Sequence, residues 1–141
     1  MATFAMRRPA WRLAPLQTAI CTLVAATALV HLSLGVVTSV MVATQPALVA
    51  SMGGATALGI MAALFYCNAV GYAVLGTALY LPALRRLRGV TRLALIGFAA
   101  ITVLAYFGLA FGHYDAFGFA DKACELVLIG LLVIERRRTP G

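Results

Sequence analysis

The sequence predicts an all-α membrane protein, a four-helix up-down transmembrane bundle with both termini on the cytoplasmic side (N-in/C-in). Three observations carry this. Of the 141 residues, 63% are hydrophobic and 11% charged, against roughly 25% charged in an average soluble domain. No Asp, Glu, Lys or Arg occurs between Leu13 and Leu84. A water-soluble domain could not keep so long an uncharged stretch off its surface, and a disordered chain would be polar. Finally, the arginines cluster at the ends of apolar stretches and leave their interiors bare.

Each element follows from the length needed to cross a bilayer, ~20 helical residues for a hydrocarbon core of about 30 Å. The first span runs over residues 16–36, after a basic head (1–15) carrying Arg7, Arg8 and Arg12. Ala26-Thr27-Ala28 resembles a signal-peptide cleavage site, but the apolar run continues to Ala43, longer than a typical signal h-region, so an uncleaved span is expected. Gln45-Pro46 and Gly53-Gly54 then mark turns in a charge-free connection that has room for a short interfacial helix. The second span covers 55–81 and stops at Pro82. Arg85, Arg86, Arg88 and Arg92 follow, the third span covers 91–112, and the fourth covers 117–134. A basic tail (135–141) with Arg136, Arg137 and Arg138 closes the single transmembrane domain, 1–141.

Orientation follows from the cations. The head, the connection after the second span and the tail hold the arginines, whereas the other two connections hold no Lys or Arg. That alternation is the positive-inside pattern. The net charge of +7 therefore reads as anchorage to lipid headgroups by these ten arginines, and no nucleic-acid partner is expected.

Depth arithmetic singles out a second set of residues. Counted from Arg136 at 1.5 Å per residue, Glu125 lies ~16 Å in and Lys122 ~21 Å in, with Asp121 beside it. Tyr72 and Asn68 come to ~15 and ~21 Å from Pro82; Thr102 and Tyr106 to ~15 and ~21 Å from Arg92; His31 to ~22 Å from Leu16. Every span thus places a polar group at similar depth, which makes a layer if these faces turn inward. A charge at a helix centre costs at least ~2.5–3.5 kcal/mol on insertion scales, so inward packing and pairing are expected. Two acids and one base leave a carboxyl unmatched. Either it carries a proton, or His31 or a tyrosine supplies the partner. Acids near a helix N-terminus and interhelical polar contacts also serve as plain packing glue, so the layer reads either as structure or as a binding or proton-handling site.

Other candidates carry less. His31 and His113 do not share a depth, which argues against a haem between them, and a lone hydrogen-bonded histidine is the ordinary reading. Cys21, Cys67 and Cys124 have no CxxC or metal-ligand spacing. Neither a metal nor a cofactor is expected, with haem or quinone the weaker alternatives. Gly59 with Ala63, and Ala69 with Ala73, have the spacing of close helix contacts.

The motifs HLSLG (31–35), NAVGY (68–72), Pro82 before the arginines, Thr102 four residues before Tyr106, and Gly118 followed by Asp121-Lys122 and Glu125 stand together in this chain. In these it resembles a group of small prokaryotic four-span membrane proteins that carry no assigned activity. The resemblance covers roughly residues 31–138. It implies a location in the prokaryotic cell membrane and a polar layer that belongs to the group, but no chemistry. Three function classes follow. The first, which the sequence favours, is a non-catalytic accessory or interaction subunit, within a larger membrane complex or a homo-oligomer. The second is a small-molecule (quinone, lipid) or proton-coupled binding or transport protein built on the layer. The third is a membrane enzyme or electron carrier.

Overall fold

In the computed structural model, which describes residues 14–109 and 116–138, the chain breaks where proline and glycine require it. Helix α1 (Pro15–Thr44) begins with proline, whose missing N–H is lost at no cost in a first turn. The Gln17 side chain reaches back to accept the Ala14 N–H at 3.2 Å. Pro46 stops α1 and opens the short α2 (Pro46–Ser51). Gly53 and Gly54 follow at φ 102° and 89°, a left-handed turn that side chains with a Cβ resist. Helix α3 (Gly54–Tyr80) ends at an extended Leu81, the conformation Pro82 imposes on its predecessor. A 3-10 turn (Pro82–Leu87) leads into α4 (Arg88–Leu109), and α5 (Ala116–Arg138) completes the described chain.

Among the described residues, three helices are long and apolar enough to cross a membrane: Pro15–Thr44, Gly54–Tyr80 and Pro82–Gly108. The helix α5, which carries Asp121, Lys122 and Glu125, is not among them. The first expected span (16–36) ends eight residues too early, because nothing breaks the helix before Gln45-Pro46. At ~45 Å, α1 exceeds a hydrocarbon core of about 30 Å and must tilt or project. The third helix starts three residues earlier than expected, at Arg88, and its expected end at Gly112 lies outside the described residues. The fourth extends past Ile134, so Arg136, Arg137 and Arg138 form its last turn. Arg7, Arg8, Arg12 and His113 lie outside the described residues.

The four long helices pack in a ring: α1 on α3, α3 on α4, α4 on α5, and α5 on α1. Their inward faces supply an apolar core of Ile20 and Val24, Leu79, Leu95 and Ala99, and Leu128 and Leu132. Outward they present exposed apolar side chains, Leu29, Val70, Ile101, Leu104 and Leu126 among them. Such a surface is stable against lipid and costly against water.

Two glycines on α3 set how closely the helices approach. A Cβ at Gly76 would collide with Val24 of α1, and one at Gly71 with the Phe98 ring of α4. Gly59 and Gly97 have nothing within 4 Å of the corresponding position. Gly71→Ala and Gly76→Ala should therefore each destabilise the protein by about 1–3 kcal/mol through overpacking. Thermal unfolding in detergent micelles should show the loss in these two variants and none in Gly59→Ala or Gly97→Ala.

Candidate functional site

A buried polar layer forms where all four long helices meet. Helix α5 contributes the stripe Asp121, Glu125, Leu128, Leu132 and Glu135, spaced four, three, four and three residues apart, with Lys122 beside it. That spacing keeps one face of a helix turned inward. Helix α1 adds His31, α3 adds Tyr72 and α4 adds Thr102; all six polar groups of the layer are buried. Glu125 and Tyr72 are wholly inaccessible, at 0% exposure.

Lys122 is the resident cation. Its Nζ donates to Glu125 Oε2 at 2.8 Å and lies 2.9 Å from Asp121 Oδ2. The Tyr106 ring, centred 5.7 Å away, offers its π-face to the same ammonium. On the other side of Glu125, Oε1 lies 2.9 Å from Tyr72 Oη. Tyr72 Oη is also 2.9 Å from Thr102 Oγ1, which in turn donates to the Ala99 carbonyl at 2.8 Å. This makes a chain of contacts from α5 through α3 to the backbone of α4.

His31 closes the layer from α1. Its Nδ1 lies 2.9 Å from the Thr27 carbonyl, which can only accept, so that nitrogen carries a hydrogen. Its Nε2 faces two carboxylates, 3.8 Å from Glu125 Oε1 and 4.0 Å from Asp121 Oδ2. Asp121 Oδ1 and Thr27 Oγ1 are buried without a hydrogen-bond partner among the described residues. His31, Asp121 and Glu125 could offer ligand atoms within 4.8 Å of one another. The Lys122 ammonium, in contact with both carboxylates, already fills the cationic place.

Two expected members stand apart from the core of the layer. Tyr106 is half-buried, with its hydroxyl packed against Gly118 and its ring on Lys122. Asn68 is half-buried and its side chain makes no hydrogen bond among the described residues; the NAVGY stretch turns Ala69 and Tyr72 inward instead.

A second cluster lies ten residues along α5, ~15 Å away. Glu135 is buried and receives one donor from each other long helix. Arg92 Nε donates at 3.0 Å, Tyr80 Oη at 3.2 Å and Gln17 Nε2 at 3.5 Å. Arg92, expected as a headgroup anchor, is thus an interior residue. Arg88 is half-buried, donating to the Leu79 carbonyl at 3.1 Å and covering the Tyr80 ring. Arg85, Arg86, Arg136, Arg137 and Arg138 are exposed. Read from the sequence, Glu135 belonged to a basic tail; its place in the buried stripe, seven residues past Leu128, was the signal that would have found it. Cys21, Cys67 and Cys124 are free thiols.

Breaking a buried pair strands a charge, at about 3–5 kcal/mol, whereas replacing both partners with apolar groups is often neutral. Arg92→Met and Glu135→Leu should each lower the unfolding midpoint in micelles, and the double variant should recover most of the loss. Additive losses in the double variant would contradict the pairing. Comparisons with protein-family models, with curated proteins and with solved structures gave no match for this chain.

Proposed function

We propose that this chain is a four-span protein of the prokaryotic cell membrane, both termini cytoplasmic, that holds one exchangeable proton in its buried layer. The activity class is proton-coupled binding or transport, without covalent catalysis. Helix α5 is the fourth span in this reading. Its charges face the ring while Leu126, Val127 and Ile134 face outward, which is how intramembrane ionisable groups are accommodated. The arginine clusters support the orientation, and the motif pattern supports kinship with the small four-span group it resembles.

One observation carries the proton. Three contacts of 2.8–2.9 Å join Glu125 Oε1, Tyr72 Oη, Thr102 Oγ1 and the Ala99 carbonyl. The two hydroxyls bring only two hydrogens, since each has one to donate. With Glu125 ionised, Tyr72 donates to it, Thr102 donates to Ala99, and the Tyr72–Thr102 contact has no hydrogen. A proton on Oε1 completes the row: Glu125 donates to Tyr72, Tyr72 to Thr102, and Thr102 to Ala99. His31 Nε2 lies 3.8 Å from the same oxygen of Glu125, within reach of a proton leaving it.

A second reading, an accessory or self-associating subunit, draws on α3. Gly59 and Ala63 lie exposed at a spacing of four, with open space above Gly59, the arrangement that admits another helix closely.

Infrared difference spectroscopy on protein in liposomes tests the first reading. A protonated-carboxyl band should be present in the wild type at neutral pH, absent in Glu125→Gln and retained in Asp121→Asn. An imposed pH gradient should collapse faster in wild-type than in Glu125→Gln liposomes. No protonated carboxyl in the folded wild type would sink the proposal.

A further inference from the structure

Charge is distributed unevenly between the inside of this protein and its surface. The acids among the described residues, Asp121, Glu125 and Glu135, are all buried, while the exposed charges are all arginines. Arg136, Arg137 and Arg138 lie at the end of α5, the same end of the molecule as the start of α1, as the Gln17–Glu135 hydrogen bond shows. Between these two helices runs an open groove of about 680 Å³, walled by Pro15, Thr18, Ala19 and Leu23 of α1 and Val127 and Leu131 of α5.

The groove has a direction. From Pro15 to Leu23 it runs ~12 Å along α1, comparable with the half-thickness of about 15 Å of a hydrocarbon core. At ~100° per residue, Arg138 falls within about 40° of Val127 and Leu131 on α5, so it stands on the groove's own face at its open end. Arg136 and Arg137 point elsewhere around the helix. Opposite Arg138, the first turn of α1 contains no acidic residue; Pro15 has no N–H and Thr18 N–H bonds the Ala14 carbonyl at 3.0 Å, which leaves the N–H groups of Leu16 and Gln17 without a partner inside the helix. An apolar trough thus ends between a guanidinium and the positive end of a helix dipole.

We propose that the α1–α5 groove is a site for an anionic phospholipid, with one acyl chain along Ala19, Leu23, Val127 and Leu131 and the phosphate at Arg138. A zwitterionic lipid matches the trough but brings an ammonium group to the arginine end. The headgroup charge is therefore what the site selects. Thr18, one turn in from Pro15, stands at the depth of the ester linkages. The occupant is a lipid of the leaflet on the arginine side, and the inference rests on the four-span reading.

The test is native mass spectrometry of the full chain in detergent, offered phosphatidylglycerol and phosphatidylcholine in equal amounts. Phosphatidylglycerol should be retained preferentially. Arg138→Gln should weaken that retention about fivefold, the equivalent of the ~1 kcal/mol contributed by one arginine at an anionic surface. Leu131→Trp fills the trough without touching charge and should abolish retention; Ala19→Phe serves the same purpose if that variant does not fold. The paired change Arg85→Gln and Arg86→Gln, at exposed arginines away from the groove, should leave retention unaltered. Equal retention of the two lipids, or equal loss in the Arg85/Arg86 control, would overturn the site. Alkaline extraction of the source membranes reports the four-span reading separately. Release of the chain overturns both, whereas full retention in the membrane without lipid preference overturns only the groove.

Discussion

Charges withdrawn from water must find every partner inside the protein, and this constraint decides which face each helix of this chain turns inward. Glu125 is the clearest instance. It is wholly buried, and its two oxygens are met from opposite sides, by Lys122 of its own helix and by Tyr72 of α3. Tyr72 then fixes Thr102, and His31 completes the ring from α1. Rotating any one helix by a third of a turn would take a partner away from Glu125 or Glu135 or turn a charged side chain outward. Apolar packing alone has no such preference in a membrane, where lipid is as good a neighbour as leucine.

The second cluster works by the same rule at the other end. Glu135 collects a donor from each of α1, α3 and α4, so the helices are pinned at two heights. Leu79, Leu95, Leu128 and Leu132 fill the space between and are buried almost completely. A polar, apolar, polar sequence along one axis fixes both the rotation and the vertical register of the ring.

Much of this was legible in the residues, and the gaps have physical causes. Composition and the breaks at Pro46, Gly53-Gly54 and Pro82 placed the helices within a few residues, except where α1 ran on because no residue stopped it. Depth arithmetic alone brought His31, Tyr72, Thr102, Asp121, Lys122 and Glu125 to one level. It could not exclude Asn68, because depth says nothing about rotation, and Tyr72 four residues on took the inward position. Arg92 and Glu135 were read as surface residues since both adjoin arginine clusters. Charge clustering obscured the helical periodicity that turns these two inward and their neighbours outward. The hydrogen count along Tyr72 and Thr102 needed atomic distances, which no spacing in a sequence provides.

The unequal character of the four long helices has a consequence for biogenesis. On the four-span reading, α1, α3 and α4 are hydrophobic enough to partition into a bilayer one at a time. Helix α5 is not: Asp121 and Lys122, unpaired at depth, would each oppose insertion by about 2.5–3.5 kcal/mol. It is also synthesised after the other three. By then Tyr72, Thr102, His31 and Arg92 are already embedded, and the groups α5 needs are waiting for it. Its entry is then a docking step on a preformed three-helix cradle, and the chain's order from N- to C-terminus doubles as its order of assembly.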